Sequence, residues 1–174
     1  KEILLELQKH RGYEDFVRTP TLPRCDFFVP NPGFIVEFDE SQHFTLPRKI
    51  SLQNYPRNLK LGFSFTKWIV LCEKINAKDN DPSFRDEQRA WYDTLRDLIP
   101  PIRGLGPTIR LYAAEIQWCS LDAKNAEDVK TFERLLAIHT FPEGEAAPVR
   151  RINQAPTYPE RWRSRRLSTT VVTV

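Results

Sequence analysis

A chain of 174 residues, 40% hydrophobic and 28% charged, is long enough to bury a core and has the balance of a globular protein rather than a disordered or fibrous one. No apolar run reaches the length of a bilayer span and no secretory signal is visible, so a cytoplasmic protein with no membrane partner is expected. The net charge of +3 is unevenly placed: residues 140–174 hold Arg150, Arg151, Arg161, Arg163, Arg165 and Arg166 against Glu143, Glu145 and Glu160, which leaves the rest of the chain neutral overall. Cys25, Cys72 and Cys119 are odd in number and widely spaced, which excludes a disulfide framework or a zinc pattern and suits buried thiols in a reducing compartment. The chain opens on Lys1 and contains no methionine, so its native start is expected to lie upstream.

In chain order, residues 2–11 carry Ile3, Leu4 and Leu7 at helical spacing and end at Gly12, which predicts a helix. Residues 13–18 read as a short strand. Residues 24–29 and 33–39 read as two strands of a hairpin turning at Asn31, Pro32 and Gly33. Pro47 and Pro56 bracket a predicted helix over 48–55, with a short helical piece at 57–61. KWIVLCEKI, residues 67–75, is a continuous apolar run and predicts a central strand buried on both faces. Residues 85–99 form the clearest helix, with Trp91, Leu95 and Leu98 on an apolar side, charges opposite and Asp81 or Ser83 as its cap. A strand over 108–121 and an amphipathic helix over 126–139 follow. The division is a folded domain at 1–139 and a basic arm at 140–174.

The chemistry concentrates in PRCDFFVPNPGFIVEFDESQHF, residues 23–44. Asp26 sits in one apolar run; Glu37 and Asp39 close the next. Carboxylates among Phe, Ile and Val are costly unless something pairs with them, and three at the ends of adjacent strands suit a divalent cation. The plain alternative is solvated acids at strand ends. Against it, Glu37 shares a face with Ile35 and has Val36 and Phe38 as neighbours.

This arrangement resembles the PD-(D/E)XK nuclease superfamily, whose signature is an Asp on one strand and an acidic-x-Lys triplet on the next. Asp26 takes the first place and Glu37-Phe38-Asp39 the triplet, with Asp39 where the Lys would be. The run Glu37-Phe38-Asp39-Glu40-Ser41-Gln42-His43 is similar to the Glu-x-Asp-Gly-x-x-His of the very-short-patch-repair-like branch, except for Glu40 in place of Gly. The resemblance covers residues 1–75 most specifically. It implies an α/β fold of the restriction-endonuclease type, a mixed central sheet flanked by helices with an α-β-β-β-α-β core. It also implies phosphodiester hydrolysis, dependent on Mg²⁺ or Mn²⁺ and directed at DNA. Asp26, Glu37 and Asp39 would then be metal ligands, with Gln42 and His43 binding phosphate or assisting the leaving group, and a homodimer is an open possibility. One of Glu2 and Glu6 would approach the metal from the first helix. The alternative is a nucleic-acid-binding module that kept the fold and lost catalysis, which the missing Lys favours.

Arg48 and Lys49 follow the acidic motif and are candidate phosphate contacts, as are Arg57 and Lys60; a solvated face is the competing reading. In the arm, Arg161, Trp162, Arg163, Arg165 and Arg166 interleave an aromatic with arginines, a pattern suited to nucleic-acid binding. Trp68, Trp91 and Trp118 are expected in the core. The charges at Arg85, Asp86, Glu87 and Arg89 read first as a helix start, not as catalytic groups.

Overall fold

The computed structural model describes residues 1–19 and 21–137. Over these the protein is mixed α/β. Helix α1 (Glu2–Arg11) is followed by strands β1 (Phe27–Val29) and β2 (Phe34–Asp39). Helices α2 (Leu46–Gln53), α3 (Phe65–Ile75) and α4 (Arg85–Ile102) come next, then strand β3 (Ile109–Tyr112) and helix α5 (Ala126–Ala137). The three strands form one sheet in the order β1-β2-β3. β1 pairs antiparallel with β2, setting Phe27 against Val36 and Phe28 against Ile35. β2 pairs parallel with β3, setting Glu37 against Arg110 and Asp39 against Tyr112.

Several elements follow their sequence signals. α1 ends on Gly12 in the left-handed conformation at φ 78°. The hairpin turns through Gly33 at φ 103°, a conformation that favours glycine. α2 starts at Leu46, earlier than expected, because the Thr45 side chain accepts a hydrogen bond from the Arg48 backbone amide.

The apolar run at 67–75 is helix α3, not a central strand. Ser64 caps it by accepting from the Lys67 amide, and Asn76 closes it at φ 42°. Phe65, Trp68, Cys72 and Ile75 recur at helical spacing, and Trp68 and Cys72 are buried. β propensity over a short apolar run yields here to two good caps and one buried stripe. Residues 13–18 form no strand. The segment is held by side chains instead: the Gln88 amide donates to the Phe16 carbonyl, and the Phe16 ring is fully buried. Residues 57–61 are not helical, and Gly62 makes an isolated parallel bridge to Ile109. The strand expected over 108–121 stops at Tyr112, where the chain turns and the Trp118 indole donates to the Ala113 carbonyl. The α-β-β-β-α-β order is therefore replaced among the described residues by α-β-β-α-α-α-β-α.

Apolar clusters lie around the sheet and between the helices. Ile3, Leu7, Phe16 and Ala90 close the contact of α1 with α4. Phe44, Leu52, Phe63, Trp68 and Cys72 fill the space between α2 and α3. Val36, Ile109 and Leu111 line one sheet face beneath Phe38, Trp118 and Leu136. The opposite face of β2 carries Ile35, Glu37 and Asp39. α4 packs toward it, so the site lies between the sheet and α4. No helix among the described residues is long and apolar enough to cross a membrane.

Candidate functional site

The strand register brings Asp26 and Glu37 together. Asp26 lies one residue before β1, where the ladder would set it opposite Glu37. The Asp26 backbone amide lies 3.3 Å from Glu37 Oε1, to which it donates. In return one Asp26 carboxylate oxygen accepts from the Phe38 backbone amide at 2.8 Å. This latch holds an exposed carboxylate beside a buried one.

α4 supplies the other wall. Its residues Asp86, Ala90, Asp93 and Asp97 follow helical spacing and are all buried. The expected amphipathicity of this helix is thus corrected: its charged stripe turns inward, while Trp91, Leu95 and Leu98 are only half-buried. Arginines from other elements make this possible. Arg110, fully buried on β3, donates to Asp39 at 2.6 Å, to Asp97 at 2.7 Å and to the Asp93 carbonyl at 3.1 Å. Arg48, also buried, donates to Asp97 at 2.7 Å and to the Tyr55 hydroxyl at 2.8 Å. Arg96, on α4 itself, donates to the Arg24 carbonyl at 2.9 Å and lies 3.3 Å from both Asp93 and Glu37. Its Nε is buried without a hydrogen bond, so its pairing with Glu37 is electrostatic, not directional.

Glu37 is the least compensated member. Burial pushes its pKa up to about 7, against the opposing pull of Arg96 and Arg110. His43 ends the 3₁₀ turn at Ser41–His43, and its Nδ1 lies 2.9 Å from Asp93 and 3.6 Å from Asp39. Burial disfavours its charged ring, but Asp93 outweighs this and the pKa is raised. Burial likewise opposes ionisation of Asp93, yet Arg110 and His43 hold it well below the usual carboxylate range.

The sequence-predicted residues separate into groups. Asp26, Glu37 and His43 lie at or beside one wall of the sheet–α4 interface. Asp39 does so too, but it is 1% exposed and its two oxygens are engaged by Arg110 and the Trp68 indole, the latter at 2.6 Å. Its carboxylate neutralises a buried guanidinium, so its expected role as an open metal ligand is corrected to a structural one. Gln42 is exposed; its side-chain amide donates to Glu40, and its backbone carbonyl accepts from Arg89. Arg48 is 1% exposed and no phosphate contact, which corrects that expectation; the reason is that Asp97 needs a partner. Lys49 is paired with Glu73 at 2.8 Å. Glu6 is paired with Lys9, and α1 packs on α2 and α4. Asp86 and Glu87 lie in the first turn of α4, as expected; Glu87 accepts from Arg11, and Arg89 donates to Asp79. Arg161, Trp162, Arg163, Arg165 and Arg166 lie outside the described residues. Among the described residues no group of three His, Cys, Asp or Glu side chains is placed to hold a metal ion.

Reading the sequence missed Arg110, Asp93, Arg96 and Asp97. The signal for Arg110 was the same one that singled out Glu37: a charge between β-forming apolar residues, here Ile109 and Leu111. Compared with protein-family models, curated proteins and solved structures, the chain matches none.

Proposed function

We propose that this protein is a divalent-cation-dependent phosphodiesterase acting on DNA, with Asp26 and Glu37 as its cation-holding pair. The observation that supports it best is the mutual latch of these two acids beside a buried cluster of charges. Glu37, Asp39, Asp93 and Asp97 are four buried carboxylates, and Arg48, Arg96 and Arg110 provide three guanidiniums. With His43 protonated beside Asp93, as its use as a proton donor requires, and Glu37 ionised, these four carboxylates and Asp26 face the three guanidiniums and His43, which leaves room for further positive charge. Mg²⁺ ordinarily takes one or two carboxylates and completes its shell with water and substrate phosphate, so two acids suffice without Asp39. A bound Mg²⁺ or Mn²⁺ supplies a more acidic water and stabilises charge on the phosphate. Asp26 and Glu37 orient the ion, Arg96 offsets charge behind Glu37, and His43, turned by Asp93, delivers a proton to the leaving oxygen. Membership of the restriction-endonuclease-like family and a dimeric state belong to the same reading.

The second reading is a DNA-binding module without catalysis. The observation favouring it is Arg96, whose guanidinium already lies 3.3 Å from Glu37 where it competes with a cation. One experiment separates the two: cleavage of labelled DNA under Mg²⁺ and Mn²⁺ titration, with Glu37→Gln alongside. The phosphodiesterase reading expects metal-dependent cleavage that the nearly isosteric amide abolishes. Binding that is indifferent to metal, with no cleavage by either form, supports the module.

A further inference from the structure

Arg96 is held differently from the other two guanidiniums of the buried cluster. The side chains of Arg48 and Arg110 are 1% and 0% exposed, and they donate to carboxylates at 2.7 Å and at 2.6–2.7 Å. The Arg96 side chain is 11% exposed, makes its shortest bond, 2.9 Å, to the neutral Arg24 carbonyl, and stands 3.3 Å from both Glu37 and Asp93. Its Nε, the atom at that distance from Glu37, is buried without a hydrogen bond. A buried donor without an acceptor is destabilising, so Arg96 loses little by leaving this position. Asp93 does not depend on it, since His43 lies at 2.9 Å and Arg110 at 3.6 Å.

The charges around Arg96 decide when it leaves. With Glu37 ionised, the carboxylates of Asp26, Glu37, Asp39, Asp93 and Asp97 face Arg48, Arg96, Arg110 and a protonated His43, one positive charge short of balance. A divalent cation on Asp26 and Glu37 turns that deficit into a surplus of one, which is the charge of one phosphodiester. The cation and the Arg96 guanidinium are like charges competing for the Glu37 carboxylate. Arg96 is the most loosely held guanidinium of the three, and its planar fork matches two phosphate oxygens. Through the Arg24 carbonyl it already stands beside the segment that carries the exposed Asp26. We infer that Arg96 is an exchangeable counter-ion: it pairs with Glu37 in the resting site and turns to the phosphodiester when Asp26 and Glu37 hold a divalent cation, so that cation and DNA bind cooperatively. Its place behind Glu37 is thus that of the resting site. The inference rests on the cation reading of Asp26 and Glu37, but not on hydrolysis.

The test uses the full chain at pH 8.5, above the value of about 7 to which burial pushes Glu37. Mn²⁺ binding without DNA is titrated by electron paramagnetic resonance. Arg96→Met is expected to bind Mn²⁺ about 5- to 150-fold more tightly than wild type. Arg96→Lys, which keeps the charge, is expected to stay near wild type, and Glu37→Gln to lose the ion. DNA binding is then followed by fluorescence anisotropy on a short labelled duplex in Ca²⁺ and in EDTA, with a gel to check that the duplex stays intact. Relative to Glu37→Gln, which shows only the general effect of the ion on DNA, Ca²⁺ is expected to strengthen wild-type binding about 5- to 150-fold. Arg96→Met is expected to lose that gain. Thermal unfolding checks each variant, and the wild-type linkage is read without altering Arg96. Mn²⁺ bound by wild type and no more tightly by a folded Arg96→Met overturns the exchange and leaves the cation reading standing. So does a wild type whose DNA affinity ignores Ca²⁺. A wild type that takes up no Mn²⁺ overturns both. If wild type cleaves nothing while Arg96→Met gains Mn²⁺ affinity and loses the linkage, the hydrolysis reading fails and the exchange stands.

Discussion

Glu37 and Arg110 are opposite cases of a charge placed inside the protein. Glu37 is 3% exposed and loosely compensated, so its pKa is pushed up to about 7 from the ordinary 4.5. An acid whose folded pKa is raised stabilises the fold most below its unfolded value, and that contribution is lost as pH rises toward 7. The raised pKa of His43 acts in the same direction, being fully felt below the ordinary 6.5 and lost as pH rises through its folded value. The melting temperature is therefore expected to fall between pH 5 and pH 8.5. Glu37→Gln should flatten the profile and stabilise the protein at pH 8 by up to about 3 kcal/mol. Identical pH profiles for the two proteins would place the titration elsewhere. Cleavage should rise with pH through about 7, since the cation needs the ionised carboxylate. Arg110 is the contrasting case. Its removal in Arg110→Met leaves Asp39 with the Trp68 indole as donor but no cation, and leaves Asp97 with Arg48 and Tyr55, and a destabilisation of about 3–5 kcal/mol is expected in urea unfolding. A change below about 1 kcal/mol would show that the cluster relaxes or takes up protons instead.

At the scale of elements, the decisive contact is the one between β3 and the segment that returns from α2. A Cβ on Gly62 would come within 2.5 Å of the Thr108 carbonyl oxygen, a backbone atom that cannot swing aside. Gly62→Ala should therefore push Thr108 and Ile109 outward and disturb the strand that positions Arg110. A cost of about 1–3 kcal/mol is expected, with weakened amide protection along β3 by hydrogen exchange. Unchanged protection there would mean that the segment carrying Gly62 yields instead. α4 shows the complementary lesson. Its helical period was plain in the sequence, but the inward side was not, because a hydrophobicity pattern assumes that charges face water. Asp93 and Asp97 turn inward because Arg48 and Arg110 arrive from other elements to meet them.

For the whole molecule, the proposed DNA reading extends to the basic arm at 140–174. Its arginines at 150–166 lie outside the described residues, and the expectation for them rests on charge alone. Deleting residues 149–174 should weaken non-specific DNA binding and reduce its salt dependence by about 0.9 log units for each phosphate that the arm neutralises. Cleavage that survives the deletion should keep its metal dependence. Coincident salt slopes with a changed oligomeric mass would assign the arm to self-assembly. Single-chain patterns sufficed for α1, the hairpin and the helical period of α4, because caps, turns and apolar spacing are local. They sufficed also for the proximity of Asp26 and Glu37, since a short hairpin leaves little choice of register. The run at 67–75 misled because a buried helix and a buried strand can share one apolar string, and the caps at Ser64 and Asn76 decided between them. The fate of Asp39 and Arg48 was invisible for a different reason. Whether a charge serves a ligand or a neighbouring charge depends on groups 71 and 49 residues away along the chain, and only the folded arrangement of β3 and α4 brings those groups within hydrogen-bonding distance.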